Sequence, residues 1–123
     1  MRVMVIVKAT KDSEAGVMPG RELLEAMGKF NEELVRAGIM IDGAGLRPSR
    51  DGARVRFSGP ERTARRGPFP DDGLVAGYWV WQVRSLDEAI EWLKKCPNPH
   101  PQDCEVEIRP LMEESDFEIK GGP

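Results

Sequence analysis

The sequence predicts an α+β domain in which two helices lie between the strands of one sheet, and three observations predict it. Residues 3–7 are an unbroken apolar run, residues 74–84 form the strongest strand segment, and residues 105–109 alternate polar with apolar side chains, which is strand patterning. Residues 21–37 and 86–93 instead carry their apolar side chains at helical spacing. The segments follow in the order β-α-β-hairpin-β-α-β, the split βαβ, ferredoxin-like order with an extra β-hairpin.

Each element has its own local reason. Residues 2–8 read as a buried strand that ends at Lys8. Residues 9–20, with Asp12, Ser13, Gly16, Pro19 and Gly20, read as a long loop. In the first helix Leu23, Met27, Phe30 and Leu34 form the core stripe, and Gly38 sits where a helix-terminating glycine belongs. Ile39-Met40-Ile41 begins the second strand, and residues 43–52 read as a loop because they are rich in Gly, Pro, Ser and Asp. Residues 54–58 and 62–66 pair as a hairpin across Ser58-Gly59-Pro60-Glu61. Ser85-Leu86-Asp87-Glu88 is a capping box that starts the second helix. Leu86, Ala89, Ile90 and Leu93 are its expected core side chains, and Pro97 stops it. Residues 1–117 are expected to form one domain, with residues 118–123 as a flexible tail.

Composition narrows the function classes. A chain of 123 residues is long enough to bury a core without disulfides or metals. Its net charge of −3 argues against a nucleic-acid footprint and against adhesion to anionic membranes. Met1 to Val7 is too short for a signal peptide or for a membrane span of about 20 residues, so a cytoplasmic location with reduced thiols is expected. Cys96 and Cys104 flank the single histidine, His100, but three ligands make a poor zinc site, and no metal or cofactor is expected. There is no phosphate loop, dinucleotide-binding glycine pattern or nucleophile elbow. Ser49, Ser58 and Ser85 show no triad partners. Trp79, Trp81 and Trp92 read as core rather than as a cofactor box. Arg62, Arg65 and Arg66 read as a charged strand edge, with anion binding second.

Strand alternation supplies the candidate site. Trp79, Trp81 and Val83 share one face of the long strand, and Tyr78, Val80 and Gln82 share the other. The helices cover only one face of the sheet. The other would leave Met4, Ile6, Tyr78 and Val80 wet, at a cost of about 25 cal/mol per Å². The expected solution is a homodimer packed sheet to sheet, with a cleft at the junction that takes a small organic molecule. Lys8 is expected near Gln82, Glu107 and Arg109 on that face, as polar contacts for the ligand, with Phe69 and Tyr78 as apolar walls. The competing reading is that these charges only pair across the interface. Asn31 lies at the margin of the first helix's apolar arc, where its amide needs a partner: a loop backbone first, a ligand second.

Five blocks then carry a resemblance: Val7-Lys8-Ala9-Thr10-Lys11-Asp12-Ser13-Glu14, Phe30-Asn31-Glu32-Glu33-Leu34, residues 52–59, Gly67-Pro68-Phe69 and Glu91-Trp92-Leu93-Lys94-Lys95-Cys96-Pro97. In these the chain resembles the DGPF branch of the YCII-related proteins, from Met1 to about Phe117. The resemblance implies a dimeric α/β barrel of ferredoxin-like subunits. Two departures stand out. Arg66 occupies the place of the aspartate that opens the branch's motif, and the following segment, Pro70-Asp71-Asp72-Gly73, is short, with Asp71 or Asp72 as the substitute carboxylate. Other YCII-related proteins have a proposed catalytic His-Asp pair whose histidine lies on the first helix. Here that helix has none, and His100, among three prolines, reads as a surface loop residue rather than a general base. The resemblance thus leaves two readings. One is a binding protein or lyase-like enzyme with its pocket at the dimer cleft. The other is a non-catalytic accessory or regulatory dimer, because some DGPF relatives are encoded beside alternative sigma factors.

Overall fold

The computed structural model describes residues 1–70 and 72–117. In chain order the elements are β1 (Arg2–Lys8), α1 (Lys11–Glu14), α2 (Arg21–Arg36), β2 (Met40–Gly45), β3 (Ala53–Ser58), β4 (Glu61–Arg66), β5 (Val75–Gln82), α3 (Leu86–Lys94) and β6 (Val106–Pro110), with short 3₁₀ turns at Ser49–Asp51 and Glu114–Phe117. The proposed tail, and Asp71 as a substitute carboxylate, lie outside the described residues.

Four strands form one sheet in the order β2-β5-β1-β6. All three neighbouring pairs are antiparallel, so two βαβ units interleave and β1 and β5 are central. This is the predicted split order. The sheet is open at β2 and β6, and no barrel closes within the described residues of the chain. The expected hairpin β3–β4 is a separate two-stranded sheet, in which Phe57 lies opposite Arg62.

Register explains the two faces. Val3 lies opposite Trp81, Val5 opposite Trp79 and Ile108, and Val7 opposite Gly77 and Val106. The side chains of this set turn toward the helices, where Phe30 and Leu34 of α2 and Ala89 of α3 meet them in the core. Phe30 stands edge-on to Trp79 and Trp81, at 6.1 and 6.2 Å between ring centres. Such offsets suit the ring quadrupoles better than flat stacking. Met4, Ile6, Tyr78 and Val80 form the opposite, half-covered face.

Several expectations need correcting. Residues 9–20 are not all loop, because Thr10 caps a short turn of helix reciprocally with Ser13. β2 does not stop at Ile41. It bulges there and runs on to Gly45, since Gly43, Ala44 and Gly45 pair with Trp79, Tyr78 and Gly77 of β5. Glycine lowers strand propensity, but the close approach of β5 requires it: a Cβ on Gly43 would lie 2.8 Å from Trp79 Cδ1. Ser85 does cap α3, accepting from the Glu88 amide at 3.1 Å. The reciprocal half shifts by one residue, so Glu88 takes the Arg84 amide and guanidinium instead. In α3 only Ala89 is buried, whereas Leu86 and Ile90 stay exposed. Ile90 instead borders a groove of about 450 Å³ between α3 and β6.

Candidate functional site

The expected polar group on the uncovered face forms in part. Lys8 Nζ lies 3.9 Å from Glu107 Oε1, and Arg109 donates to Glu107 Oε2 at 3.2 Å. The chain of alternation that places them is Ile6 opposite Glu107 and Met4 opposite Arg109. Gln82 does not join them. It pairs with Arg2 at the far end of β1 and donates to the Met1 carbonyl at 3.2 Å. Seven residues of strand separate the two ends, about 20 Å at the usual rise. Half-exposed ion pairs such as these contribute little, on the order of 0–1 kcal/mol each.

Phe69 also lies elsewhere. It is buried beneath the hairpin, with the guanidinium carbons of Arg54 and Arg65 at 4.1 and 5.2 Å from its ring centre. Its amide donates to Ser49 Oγ at 3.0 Å. The Ser49 hydroxyl and amide donate to the two carboxylate oxygens of Glu14, at 2.5 and 2.8 Å. Glu14, Ser49 and Phe69 thus tie α1, the 3₁₀ turn and the turn at Gly67 together. The Ser49 hydroxyl, and then its amide, hold the Glu14 carboxyl below its ordinary value of 4.5. A lowered folded pKa contributes stability above the unfolded value, and that contribution is lost as pH falls through the folded value. Urea midpoints should therefore decline as pH drops below about 4.5. The decline should be shallower in Glu14→Gln, and an unchanged slope there would place the acid-labile group elsewhere.

His100 is anchored rather than loose. Its Nε2 donates to the Lys8 carbonyl at 2.8 Å and its amide donates to Asn98 Oδ1, which pins the proline-rich loop to the end of β1. Cys96 and Cys104 are both free thiols. Burial, and then the nearby Cys104, pushes the Cys96 thiol up to about 11, so it stays protonated at neutral pH and is a poor nucleophile.

A cleft of about 620 Å³ opens on the helix side of the sheet, where sequence reading placed a loop. Gly43 and Gly45 of β2 and Gly77 of β5 form its floor. All three occupy positions whose side chains would point toward the helices, so their missing side chains leave the space. Met27 and Asn31 of α2, Val7, Trp79 and Pro99 make the walls, and Tyr78, whose side chain turns to the opposite face, borders the cleft from β5. Asn31 Oδ1 accepts from Trp79 Nε1 at 2.9 Å. The indole, not a loop backbone, is thus its partner, and this bond turns the amide's two N–H donors the other way. Asp42 borders the cleft at the bulge of β2, opposite Val80, and its Oδ1 accepts from the Gly43 amide at 2.8 Å. Of the expected site residues, only Asn31 presents its side chain to this cleft among the described residues, whereas the Tyr78 side chain lies on the opposite face. The signal available in the sequence was the matched spacing of Gly43, Gly45 and Gly77 on strands that pair.

The model of the YCII-related domain matches residues 1–115. An uncharacterised protein of Rhizobium meliloti (strain 1021) is 30% identical over 103 residues, covering 83% of this chain and 78% of that protein. Matched over nearly its whole length, the chain belongs to the YCII-related family.

Proposed function

We propose that this protein binds a small, largely apolar organic molecule in the glycine-floored cleft, and that it does so as a homodimer packed through the uncovered face of its sheet. The observation that carries the ligand is the cleft itself. Its volume of about 620 Å³ suits a small molecule, its walls are mostly apolar, and one amide is already oriented by Trp79. The Asn31 donors select a hydrogen-bond acceptor on the ligand, such as a carbonyl. Lys8, Glu107, Arg109 and Gln82 belong in this reading to the dimer interface, and Phe69 to the support of the hairpin. The Gly67-Pro68-Phe69 turn supports membership of the DGPF branch. A cytoplasmic location fits the free thiols. No helix among the described residues is long and apolar enough to cross a membrane.

Gly45 gives the test. A Cβ there meets nothing within 4 Å, so leucine enters the cleft without disturbing the strand. Neutral aromatic and carbonyl fragments, screened by ligand-observed NMR, are expected to bind the wild type and to lose binding about ten-fold or more in Gly45→Leu, consistent with loss of a shape-matched apolar site. Bound fragments should also shift the Trp79 indole N–H resonance. Equal binding to Gly45→Leu would sink the assignment.

A further inference from the structure

Among the described residues, no layer of the chain covers the outer face of the hairpin β3–β4. One face rests on Phe69 through Arg54 and Arg65. The register turns Val55, Phe57, Arg62 and Arg66 to the other face, and there Val55 is 54% and Phe57 71% exposed. A lone two-stranded hairpin is marginal in water and is stabilised by packing its apolar face. Its charge is also out of keeping with the rest of the chain. Residues 53–66 hold five arginines and one glutamate in a protein of net charge −3.

The complementary surface lies at the opposite end of the sheet. The hairpin leaves the sheet between the end of β2 at Gly45 and the start of β5 at Val75, beside Lys8. The segment after β6 leaves at the other end of β1, where the Leu111 amide donates to the Arg2 carbonyl and Arg2 pairs with Glu113 at 3.1 Å. Residues 111–117 contain Glu113, Glu114 and Asp116 and no basic residue, and Met112 and Phe117 are exposed. Each region is thus apolar with one sign of charge, and the signs are opposite. A two-fold axis across the strands reverses strand direction, so it sets each copy's hairpin beside the other copy's acidic end, twice per dimer.

We propose that the β3–β4 hairpin is a dimer arm that docks on residues 111–117 of a second copy, Phe57 against the exposed Met112 and Phe117, and Arg62 and Arg66 against Glu114 and Asp116. The inference rests on the homodimer reading above. Sedimentation equilibrium at low and high salt tests it, with Arg62→Glu/Arg66→Glu, Glu114→Lys/Asp116→Lys, their combination, and Phe57→Ser, each checked for native circular dichroism. Each charge reversal is expected to weaken the dimer about ten-fold, and the combination to recover most of the loss, as opposed charges across an interface do. Phe57→Ser should weaken the dimer about ten-fold with native circular dichroism retained. A wild-type dimer indifferent to Arg62→Glu/Arg66→Glu and to Phe57→Ser overturns the arm and leaves the homodimer standing, as does a combination that fails to recover. A wild type that stays monomeric at all concentrations removes the homodimer and the arm together.

Discussion

Replacing Gly67 by alanine is expected to destabilise the protein by about 3 kcal/mol, among the larger costs a single added methyl can impose. A Cβ at Gly67 would lie 1.8 Å from the Ser49 carbonyl oxygen and 2.6 Å from its carbon. Both are backbone atoms, so no side-chain rotation relieves the clash. The turn cannot retreat cheaply either, because Ser49 is held by Glu14 on one side and by the Phe69 amide on the other. Moving it would break those bonds and lift Phe69 from beneath Arg54 and Arg65. A domain of this kind has a net stability of roughly 5–15 kcal/mol, so the loss is a large fraction of the whole. Gly28 is the contrasting position. It lies within α2, nothing stands within 4 Å of an added Cβ, and Gly28→Ala should stabilise by about 1 kcal/mol through helix propensity. Urea midpoints at constant slope measure both. A Gly67→Ala protein within about 1 kcal/mol of wild type would show that the turn is not packed as described.

The second large effect separates the two core tryptophans. Trp81 is fully buried, with Trp79 at 5.8 Å between ring centres, and Trp81→Ala should cost about 3–5 kcal/mol through lost transfer energy and a cavity. Trp81→Phe should cost much less. The Trp81 indole N–H is buried and finds no acceptor among the described residues. An unpaired buried donor costs about 1–3 kcal/mol, and phenylalanine removes it, offsetting part of the lost packing. Trp79→Phe is expected to be the more damaging of the two phenylalanine variants, although Trp79 is the less buried side chain. It removes the donor to Asn31 and leaves Oδ1 of that amide unpaired. Denaturant titrations that rank Trp81→Phe as the costlier would contradict this account of the core.

How far the site was legible follows from the range of the forces that make it. The half-covered sheet face could be read because side chains alternate strictly along a strand, so Lys8, Glu107 and Arg109 were placed on one face from the sequence. Their neighbourhood with Gln82 could not, since alternation gives the face and not the distance along it. Only the pairing of Arg2 with Gln82 puts that amide at the far end. The tie between Ser49 and Glu14 was not legible, because the two residues lie 35 positions apart in the chain.

The glycines make the same point from the other side. Local propensity reads Gly43-Ala44-Gly45 as loop, since glycine forfeits backbone entropy in a strand and packs nothing. β5 overrides that preference because only a strand without side chains at Gly43 can lie against Trp79, and the pairing supplies hydrogen bonds that the loop would lack. The same substitution of packing by empty space creates the cleft. By itself the sequence determined the split order of the main strands and helices, the helix stripe of Phe30 and Leu34, the cap at Ser85, the presence of the hairpin and the separation of the sheet's faces, because these depend on periodicity and on contacts a few residues apart. Only the tertiary structure decided which glycines lie side by side, which partner holds Asn31, and that Phe69 supports an arm rather than lining a pocket. Those outcomes depend on strand register and loop closure between residues far apart in the chain, where one backbone contact outweighs any local preference.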